Sequence, residues 1–346
     1  MSETKTHAIS VVVPVYRGAT TLPGVVAELL PYGRPFVTPG GRTAVVEEVV
    51  LVHDNGPDDS DEVIRRLAAE HDLLRPVWLS RNFGQHAATL AGIAASGGEW
   101  IATLDEDGQH DPAHLPQMLD VALDERAQLV YGTPASEPPH GVLRNTLSRS
   151  AKRVVDTLTG QGTARHFSSY RLVLGEYARS ISAYASAGVF LDVALSWVVG
   201  RVATSPIEPR NWSDRPSGYS LRSLLSHFWR MVLTGGTRLL RVVSLAGAVL
   251  GVLGLVLAAY VLGIRIFGET DVQGWASVMV AILLCTGAIL FALGVIAEYL
   301  GLAVNMALGK PPYVMVQDPG DGPLSAARRA PAPAEQAAAE PAPVAE

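Results

Sequence analysis

The segment TLDEDGQHDP, residues 103–112, places two aspartates, Asp105 and Asp107, one residue apart behind a short apolar run. Alternate residues of an extended segment point the same way, so the two carboxylates are expected to converge while Glu106 points elsewhere. Unpaired carboxylates repel each other, and a divalent ion that prefers oxygen ligands, Mg²⁺ or Mn²⁺, relieves that repulsion. The spacing indicates a metal site, and an acidic turn that caps a helix at Pro112 is the alternative.

The elements that position these acids alternate between apolar strands and helices. Helices are predicted at 20–30, 61–71, 85–96 and 112–125, and the strands are AISVVVPVY, EEVVLVHD, PVWLS, WIATLD and AQLVYG. This order predicts an α/β fold with a mostly parallel sheet covered by helices on both faces. Ligands of such sheets bind outside the carboxyl ends of the strands, where Asp54, Arg81 and residues 105–107 fall.

Two long uncharged runs indicate a membrane protein. Val242 to Leu262 is 21 residues and Trp275 to Ala297 is 23, in a chain whose mean hydropathy is +0.23. At about 1.5 Å per residue each run crosses a hydrocarbon core of roughly 30 Å, whereas a pair of buried core helices is the alternative. Five arginines and no acid lie in 215–241. This excess of positive charge predicts that the α/β domain and both termini are cytoplasmic.

The segment before the first run has the pattern of an amphipathic helix. Apolar residues from Leu221 to Leu233 repeat at helical spacing, and Arg222 and Arg230 occupy the other face. Such a helix is expected in the lipid headgroup plane, with packing against the α/β domain as the alternative. The chain beyond Pro319 is rich in Ala, Pro and Glu, which predicts disorder.

The predicted division is therefore an α/β domain at 1–220, an interfacial helix at 221–238, two transmembrane helices at 239–305 and a tail at 306–346.

Composition and missing motifs exclude several classes of protein. The net charge of −6 gives no indication of a nucleic-acid partner, and the single cysteine, Cys285, excludes an internal disulfide or a cysteine-built zinc site. The polar start MSETKTHAIS predicts no signal peptide. The chain has no G-x-x-x-x-G-K-[ST], and no G-x-G-x-x-G follows the first strand, so neither a P-loop nor the usual dinucleotide fingerprint fits.

Four segments, VVVPVYRGATTL, VHDNGPDDSDEV, LSRNFGQHAATLAGI and LDEDGQHDPAHLP, resemble in order and spacing the family 2 glycosyltransferases with the GT-A fold. The segment DRPSGYSLRSLL, followed by two spans, is similar to the polyprenyl-phosphate branch. That branch includes dolichyl-phosphate mannose synthase, bactoprenol glucosyltransferase and undecaprenyl-phosphate aminoarabinose transferase. The resemblance runs from about Ile9 to Tyr313.

The resemblance implies an inverting, membrane-bound enzyme that moves a sugar from a nucleoside-diphosphate sugar to a polyprenyl phosphate with Mg²⁺ or Mn²⁺. It implies that Pro14 and Tyr16 hold the nucleobase, that Asp54 contacts the base or ribose, and that Arg81 lies beside the nucleotide. Tyr16 as an ordinary strand aromatic, Asp54 as a turn cap and Arg81 as a surface charge remain alternatives.

The remaining implied residues bind the metal, the donor phosphates and the acceptor. Asp105 and Asp107 match the family's D-x-D, with Asp107 as the metal-binding acid and Gln109 as a further ligand. The membrane-proximal segment that clamps phosphates is matched by Arg215, Ser217 and Tyr219. An arginine binds phosphate bidentately, although Arg215 could also serve only membrane topology.

Two positions depart from the family pattern. Arg165 stands where many relatives carry an acid, and His53 replaces one acid of the commoner second-strand motif. No carboxylate general base is therefore assigned. The second pKa of a phosphate monoester is about 6, so a lipid phosphate is already a dianionic nucleophile at neutral pH, and Arg165 is a candidate to hold it.

Two other functions remain open. One is a family 2 transferase that extends a polysaccharide; its usual Q-x-x-R-W is missing, and EPRNW at 208–212 is the nearest match. The other is a membrane scaffold that has lost its chemistry, for which Arg165 is the only support. The sequence does not select the sugar, the nucleotide, the lipid length or the oligomeric state, a homo-oligomer included.

Overall fold

The computed structural model describes residues 5–134, 167–185, 189–208, 210, 238–267 and 274–323. The strands within these residues are β1 (Thr6–Val15), β2 (Phe36–Val37), β3 (Thr43–His53), β4 (Leu74–Leu79), β5 (Trp100–Thr103), β6 (Leu129–Pro134), β7 (Arg171–Leu174), β8 (Val202–Ile207) and β9 (Met315–Val316). The α-helices are α1 (Leu22–Leu29), α2 (Ser60–Glu70), α3 (Gln85–Ala95), α4 (Leu115–Asp124), α5 (Gly175–Tyr184), α6 (Leu191–Val198), α7 (Arg238–Phe267) and α8 (Trp275–Ala307). Short 3₁₀ helices occupy Leu30–Gly33 and Pro112–His114.

All nine strands join one sheet in the order β8-β6-β7-β5-β1-β3-β4-β9, with β2 paired to β3. Strands β5, β1, β3 and β4 run parallel and form its centre. Strand β7 is antiparallel to both β5 and β6, and β9 is antiparallel to β4. The predicted α/β fold with a mostly parallel sheet is confirmed, although the sheet is mixed.

The valine-rich centre of the sheet is buried on both faces. In β1, Val11 and Val13 pack into one core cluster with α1, α2 and α4. The intervening Val12 packs into a second cluster that includes α3, α5 and α6. A strand covered on both sides shows a continuous apolar run rather than alternation, as the sequence of β1 does.

The predicted fourth strand, WIATLD, ends earlier than its sequence indicates. Strand β5 stops at Thr103, and residues 106–108 form a turn in which Gly108 has φ +72°. The expectation that Asp105 and Asp107 lie on an extended segment is therefore wrong. Their relative orientation is set by a turn, which glycine permits through its positive φ.

The two long helices α7 and α8 have 30 and 33 residues and contact each other. Large apolar side chains on both are exposed, such as Leu255 at 73% and Leu284 at 69%. Within the described residues, one segment, Leu284–Ala307, is apolar and long enough to cross a membrane, while Leu240–Val256 is shorter. The second of the two predicted spans stays a prediction. Residues 221–237 of the predicted interfacial helix lie outside the described residues.

Both connections to the helical pair leave the same end of the sheet. Strand β8 is parallel to β6, and both β5 and β6 oppose β7, so Ile207 ends at the carboxyl edge of the central strands. Strand β9 opposes β4, so it starts at that edge, where the Ser80 N–H donates to the Val314 carbonyl oxygen. Strands β8 and β9 are the two outermost strands of this sheet.

The chain after α8 forms a strap, residues 313–320, on the outer side of β4. The Asp318 carboxylate accepts hydrogen bonds from Nε and Nη2 of Arg65, each 2.8 Å long. The Arg65 guanidinium also lies 4.9 Å from the centroid of the Trp78 ring, and Tyr313 packs against the second core cluster. The strap thus covers a sheet edge that would otherwise be free to pair with another chain.

We expect Asp318→Asn to loosen the strap because it removes the charged partner of Arg65. Amide hydrogen exchange over 314–318 should rise about tenfold, since a hydrogen bond to a charged group is stronger than a neutral one. The matched control is Asp61→Asn, which removes the other, i,i+4 partner of Arg65 and leaves Asp318 in place. Equal exchange in the two variants would contradict this role of Asp318.

The strap should also respond to acid. Burial alone would raise the pKa of Asp318, but hydrogen bonds from Arg65 and from the Gly320 N–H lower it below its usual value. A carboxyl with a lowered folded-state pKa contributes fully above its unfolded pKa, about 4, and loses that contribution as the pH falls through the folded pKa. Amide hydrogen exchange over 314–318, corrected for the pH dependence of the intrinsic exchange rate, should therefore be constant from about pH 7 to 5 and rise only below about pH 4.

Candidate functional site

A cavity of about 430 Å³ opens at the carboxyl edge of the parallel strands. It is formed by the segments that follow β1, β3, β4 and β5, because parallel strands bring their carboxyl ends to one edge. The residues that line it are Pro14, Val15, Tyr16, Asp54, Asn82, Gly84, Gln85, Ala88, Asp105, Glu106 and Asp107. Four of these side chains are carboxylates.

The Asp54 carboxylate holds the loop between β4 and α3. It follows β3, is only 3% exposed, and accepts hydrogen bonds from the backbone N–H groups of Phe83 at 2.7 Å and Gly84 at 2.8 Å. Burial raises the pKa of Asp54 in spite of these bonds. The buried acid therefore fixes the RNFG loop and the start of α3 at the cavity.

The loop after β1 is fixed by close contact with the loop after β3. A Cβ on Gly56 would lie 1.7 Å from the carbonyl oxygen of Tyr16, and the preceding Asn55 adopts φ +48°. Only glycine allows this approach, which places the backbone of Tyr16 against the wall of the cavity.

Glu106, between the two aspartates, turns toward the same loop. Its carboxylate accepts hydrogen bonds from the backbone N–H groups of Tyr16 and Arg17. Burial, with smaller contributions from nearby Asp58 and Asp105, raises the pKa of Glu106 although these amides oppose the shift. The expectation that Glu106 points away from its neighbours agrees with these contacts.

The carboxylate of Asp105 is held by two side chains. One oxygen accepts from Nε2 of Gln85 and the other from Oγ of Ser169, both at 2.6 Å. Its backbone N–H donates to Nδ1 of His110 at 3.2 Å. The carboxylate of Asp107 accepts from the backbone N–H of Gln109 at 3.0 Å.

The carboxylate oxygens of Asp105 and Asp107 are of the kind that binds a divalent ion. Asp105 and Asp107 offer hard oxygen atoms and line one cavity with two further acids, Asp54 and Glu106. Within the described parts of the chain no cluster of three or more His, Cys, Asp or Glu could hold a metal by itself. Magnesium commonly uses one or two carboxylates and completes its shell with water and substrate phosphates, so two acids suffice.

Five of the residues singled out in the sequence come together at this cavity: Pro14, Tyr16, Asp54, Asp105 and Asp107.

Arg81 and Gln109 are nearby but do not line the cavity. The Arg81 guanidinium lies 4.1 Å from the centroid of the Phe83 ring, and its Nη1 donates to the Asn82 carbonyl oxygen. Gln109 shares the turn of Asp107 and contributes its backbone there. The predicted acceptor residues Arg165, Arg215, Ser217 and Tyr219 lie outside the described residues.

Three residues that sequence reasoning did not assign prove to support the site. Gln85 and Ser169 hold Asp105. Gln85 belongs to the segment LSRNFGQHAATLAGI, but nothing in the sequence marked either side chain as the partner of an acid. The third is Arg210 of EPRNW. It forms ion pairs with Glu28 and Asp111, and its backbone N–H donates to the Gln109 carbonyl oxygen.

Residues 10–178 match the sequence profile of Glycosyl transferase family 2. The α/β domain is therefore similar to glycosyltransferases of this family.

Two relatives are similar to this protein over nearly the whole chain. An undecaprenyl-phosphate 4-deoxy-4-formamido-L-arabinose transferase of Yersinia enterocolitica is 27% identical, over 90% of this chain and 94% of its own. The enzyme of the same description from Aeromonas hydrophila is 26% identical, over 92% of this chain and 95% of its own. Among solved structures, glucosyl-3-phosphoglycerate synthase of Mycobacterium tuberculosis, in complex with Mn²⁺, UDP and glucosyl-3-phosphoglycerate, has a TM-score of 0.47 and 18% identity. It covers 67% of this chain and 80% of its own.

The contact at Gly56 gives a test of the cavity wall. Gly56→Ala places a methyl group on the Tyr16 carbonyl, so the unfolding midpoint of the detergent-solubilised protein should fall by roughly 5 °C or more. In the control Gly97→Ala the added Cβ meets only Oε1 of Glu48, at 3.8 Å, and the midpoint should stay within about 1 °C. A midpoint for Gly56→Ala equal to that of the control would show that the loop can move away.

Proposed function

We propose that the protein transfers a sugar from a nucleoside-diphosphate sugar to a polyprenyl phosphate at the inner surface of a membrane, with inversion at the anomeric carbon. The observation that carries this proposal is the acidic cavity at the edge of the sheet from which both connections to the helical pair leave. The two described relatives, which act on undecaprenyl phosphate by name, support the choice of acceptor.

The donor occupies the cavity, with its nucleobase toward the loop after β1. Pro14 and Tyr16 offer an apolar wall and an exposed aromatic ring, and Asp54 follows the neighbouring strand β3 at the same edge. Arg81 is exposed at the rim, where its charge can meet the nucleotide. Each of these roles is part of the proposal.

The diphosphate is held at the acid pair. A cavity lined by four carboxylates repels an anionic donor, so the donor has to arrive with a counter-ion. Asp105 and Asp107 are the residues that hold Mg²⁺ or Mn²⁺, with Gln109 as a further candidate. When bound there, the divalent ion supplies positive charge that stabilises the departing nucleoside diphosphate.

The acceptor phosphate needs little activation by the protein. Its second pKa is about 6, so at neutral pH it is largely a dianion and attacks without a general base. An oxygen of the lipid phosphate forms the new bond to the anomeric carbon as the bond from that carbon to the donor diphosphate breaks. Arg215, Ser217 and Tyr219, together with Arg165, are the residues proposed to hold the acceptor and the phosphates.

The helical pair places this reaction at the lipid. We infer that α7 and α8 are two transmembrane helices, with the α/β domain and the tail on the cytoplasmic side. Ala307, the last residue of α8, is seven residues before Val314 at the carboxyl edge, a distance of at most about 25 Å along the chain. The cavity is then close to the headgroups, and holding both reactants there removes much of the entropic cost of their encounter.

Asp107→Ala tests the site. Membranes that contain the wild-type protein should form glycolipid from undecaprenyl phosphate and one member of a panel of UDP-, GDP- and dTDP-sugars, and EDTA should stop the reaction. Asp107→Ala should lower the rate by at least about 100-fold, because loss of charge stabilisation of the leaving group costs several kcal/mol. Product is measured by thin-layer chromatography and mass spectrometry.

The control for this experiment is Asp72→Ala, an exposed acid at the amino end of β4, which should transfer at the wild-type rate. Transfer by Asp107→Ala at the wild-type rate would show that the acid pair does not hold a metal that the reaction needs. Transfer by the wild type to an oligosaccharide, with none to undecaprenyl phosphate, would favour the polysaccharide alternative.

A further inference from the structure

Glu106 makes contacts that neither of its acidic neighbours makes. Its Oε2 accepts from the Tyr16 N–H at 2.7 Å and its Oε1 from the Arg17 N–H at 3.0 Å. A Cβ on Gly18 would lie 2.8 Å from Oε2, so the loop after β1 rests directly on this carboxylate. Both oxygens are directed at the backbone of the loop.

The same loop is held from its other side by the segment after β3. The Gly18 N–H donates to Oγ of Ser60 at 2.8 Å, and the Ala19 N–H donates to Asp58 at 3.1 Å. Successive backbone amides of residues 16–19 are thus bound by side chains rather than by the ladder of a sheet. Without Glu106, the first two of these amides would lose the acceptors that define the loop's conformation.

We propose that Glu106 is a positioning residue for the donor: it fixes the loop of Tyr16 and Arg17 in the conformation that receives the nucleobase, and so joins the base subsite to the acid pair on either side of it. This inference rests on the proposed function, because it presumes that the cavity binds a nucleotide. Its consequence is that the residue between the two aspartates governs affinity for the nucleoside and leaves the metal requirement unchanged.

The geometry distinguishes this role from that of a third metal ligand. Glu106 directs Oε1 and Oε2 at two backbone amides of another strand's loop, whereas the partners of Asp105 are side chains and the partner of Asp107 lies in its own turn. Replacing a metal ligand would also change how nucleotide binding responds to the metal, whereas replacing a positioning residue would not.

The test is nucleotide binding by Glu106→Gln, measured by isothermal titration calorimetry on the full-length protein in detergent. UDP, GDP and dTDP are titrated with Mn²⁺ and again with EDTA. Glutamine has the size of glutamate but keeps only one acceptor oxygen, so Kd for the nucleotide that the wild type binds should rise about fivefold under both conditions. The ratio of the two Kd values, which reports the metal's contribution, should equal that of the wild type.

Steady-state kinetics supply a second readout. In Glu106→Gln, KM for the nucleotide sugar should rise by a similar factor while KM for undecaprenyl phosphate is unchanged, because the proposal assigns the loop after β1 to the donor.

Glu48→Gln is the matched control. Glu48 is also a partly buried carboxylate that accepts from a backbone amide, Gly97 N–H at 2.6 Å, and from a hydroxyl, Ser10 Oγ at 2.7 Å. These contacts lie at the opposite end of the sheet from the cavity. Glu48→Gln should leave nucleotide Kd at the wild-type value, and thermal unfolding of both variants shows whether each is folded.

Three results would overturn the proposal. Wild-type Kd in a folded Glu106→Gln would show that the loop does not depend on Glu106. An unchanged Kd in EDTA with a lost Mn²⁺ effect would make Glu106 a metal ligand instead. If the wild type binds none of the three nucleotides, the proposed function itself fails and this inference with it.

Discussion

Four carboxylates that share one cavity impose the main electrostatic constraint on this protein. The negative charge of two of them is stabilised by hydrogen bonds within the chain. Asp54 accepts hydrogen bonds from two backbone amides of the loop before α3, and Glu106 accepts them from two backbone amides of the loop after β1. Asp105 also accepts one neutral donor at each oxygen, but from the side chains of Gln85 and Ser169, and Asp107 accepts from an amide of its own turn. The two acids that hold neighbouring loops are therefore distinguished from the Asp105 and Asp107 pair by the partners that they bind.

This division explains the arrangement of the loops. A carboxylate at one strand end draws in the amides of the next loop, so the loops are held by charged hydrogen bonds instead of by an apolar core, which cannot extend to a solvent-filled cavity. This arrangement buries charged groups. Burial disfavours the ionised form of both Asp54 and Glu106 and raises the pKa of each. Glycines at positions 18 and 56 are required in the same place, where backbone and side chain come within contact distance.

The order of five strands and four helices in the first 134 residues was predictable, because apolar runs alternate there with helical patterns. The two-residue strand β2 was not predicted. Strand β9 was not, since it has two residues and pairs with β4 across more than 200 positions of the chain. The cavity residues Asp54, Asp105 and Asp107 followed from strand ends and spacing, and Pro14 and Tyr16 from the family resemblance. Gln85 and Ser169 did not, because a hydrogen bond between side chains from different segments leaves no pattern in the sequence.

The turn at Gly108 shows the limit of a periodicity argument. Asp105 and Asp107 do line one cavity, as the sequence suggested, but a turn brings them there and not the pleat of a strand. Similarly, the apolar content of α7 and α8 was evident from the sequence. The return of the chain to β4 was not, because it involves an ion pair between Asp318 and Arg65, which are 253 residues apart.

The position of β8 and β9 as opposite borders of the sheet separates the point where the chain leaves for the helical pair from the point where it returns. The chain enters the helical pair from one border and returns at the other, and the eight strands in this path span seven intervals of about 4.8 Å, or roughly 34 Å. Ile207 at one border is followed by 30 residues before Arg238 begins α7, whereas Val314 at the other border is only seven residues after Ala307. The β9 border is therefore the one that the chain ties closely to the helical pair.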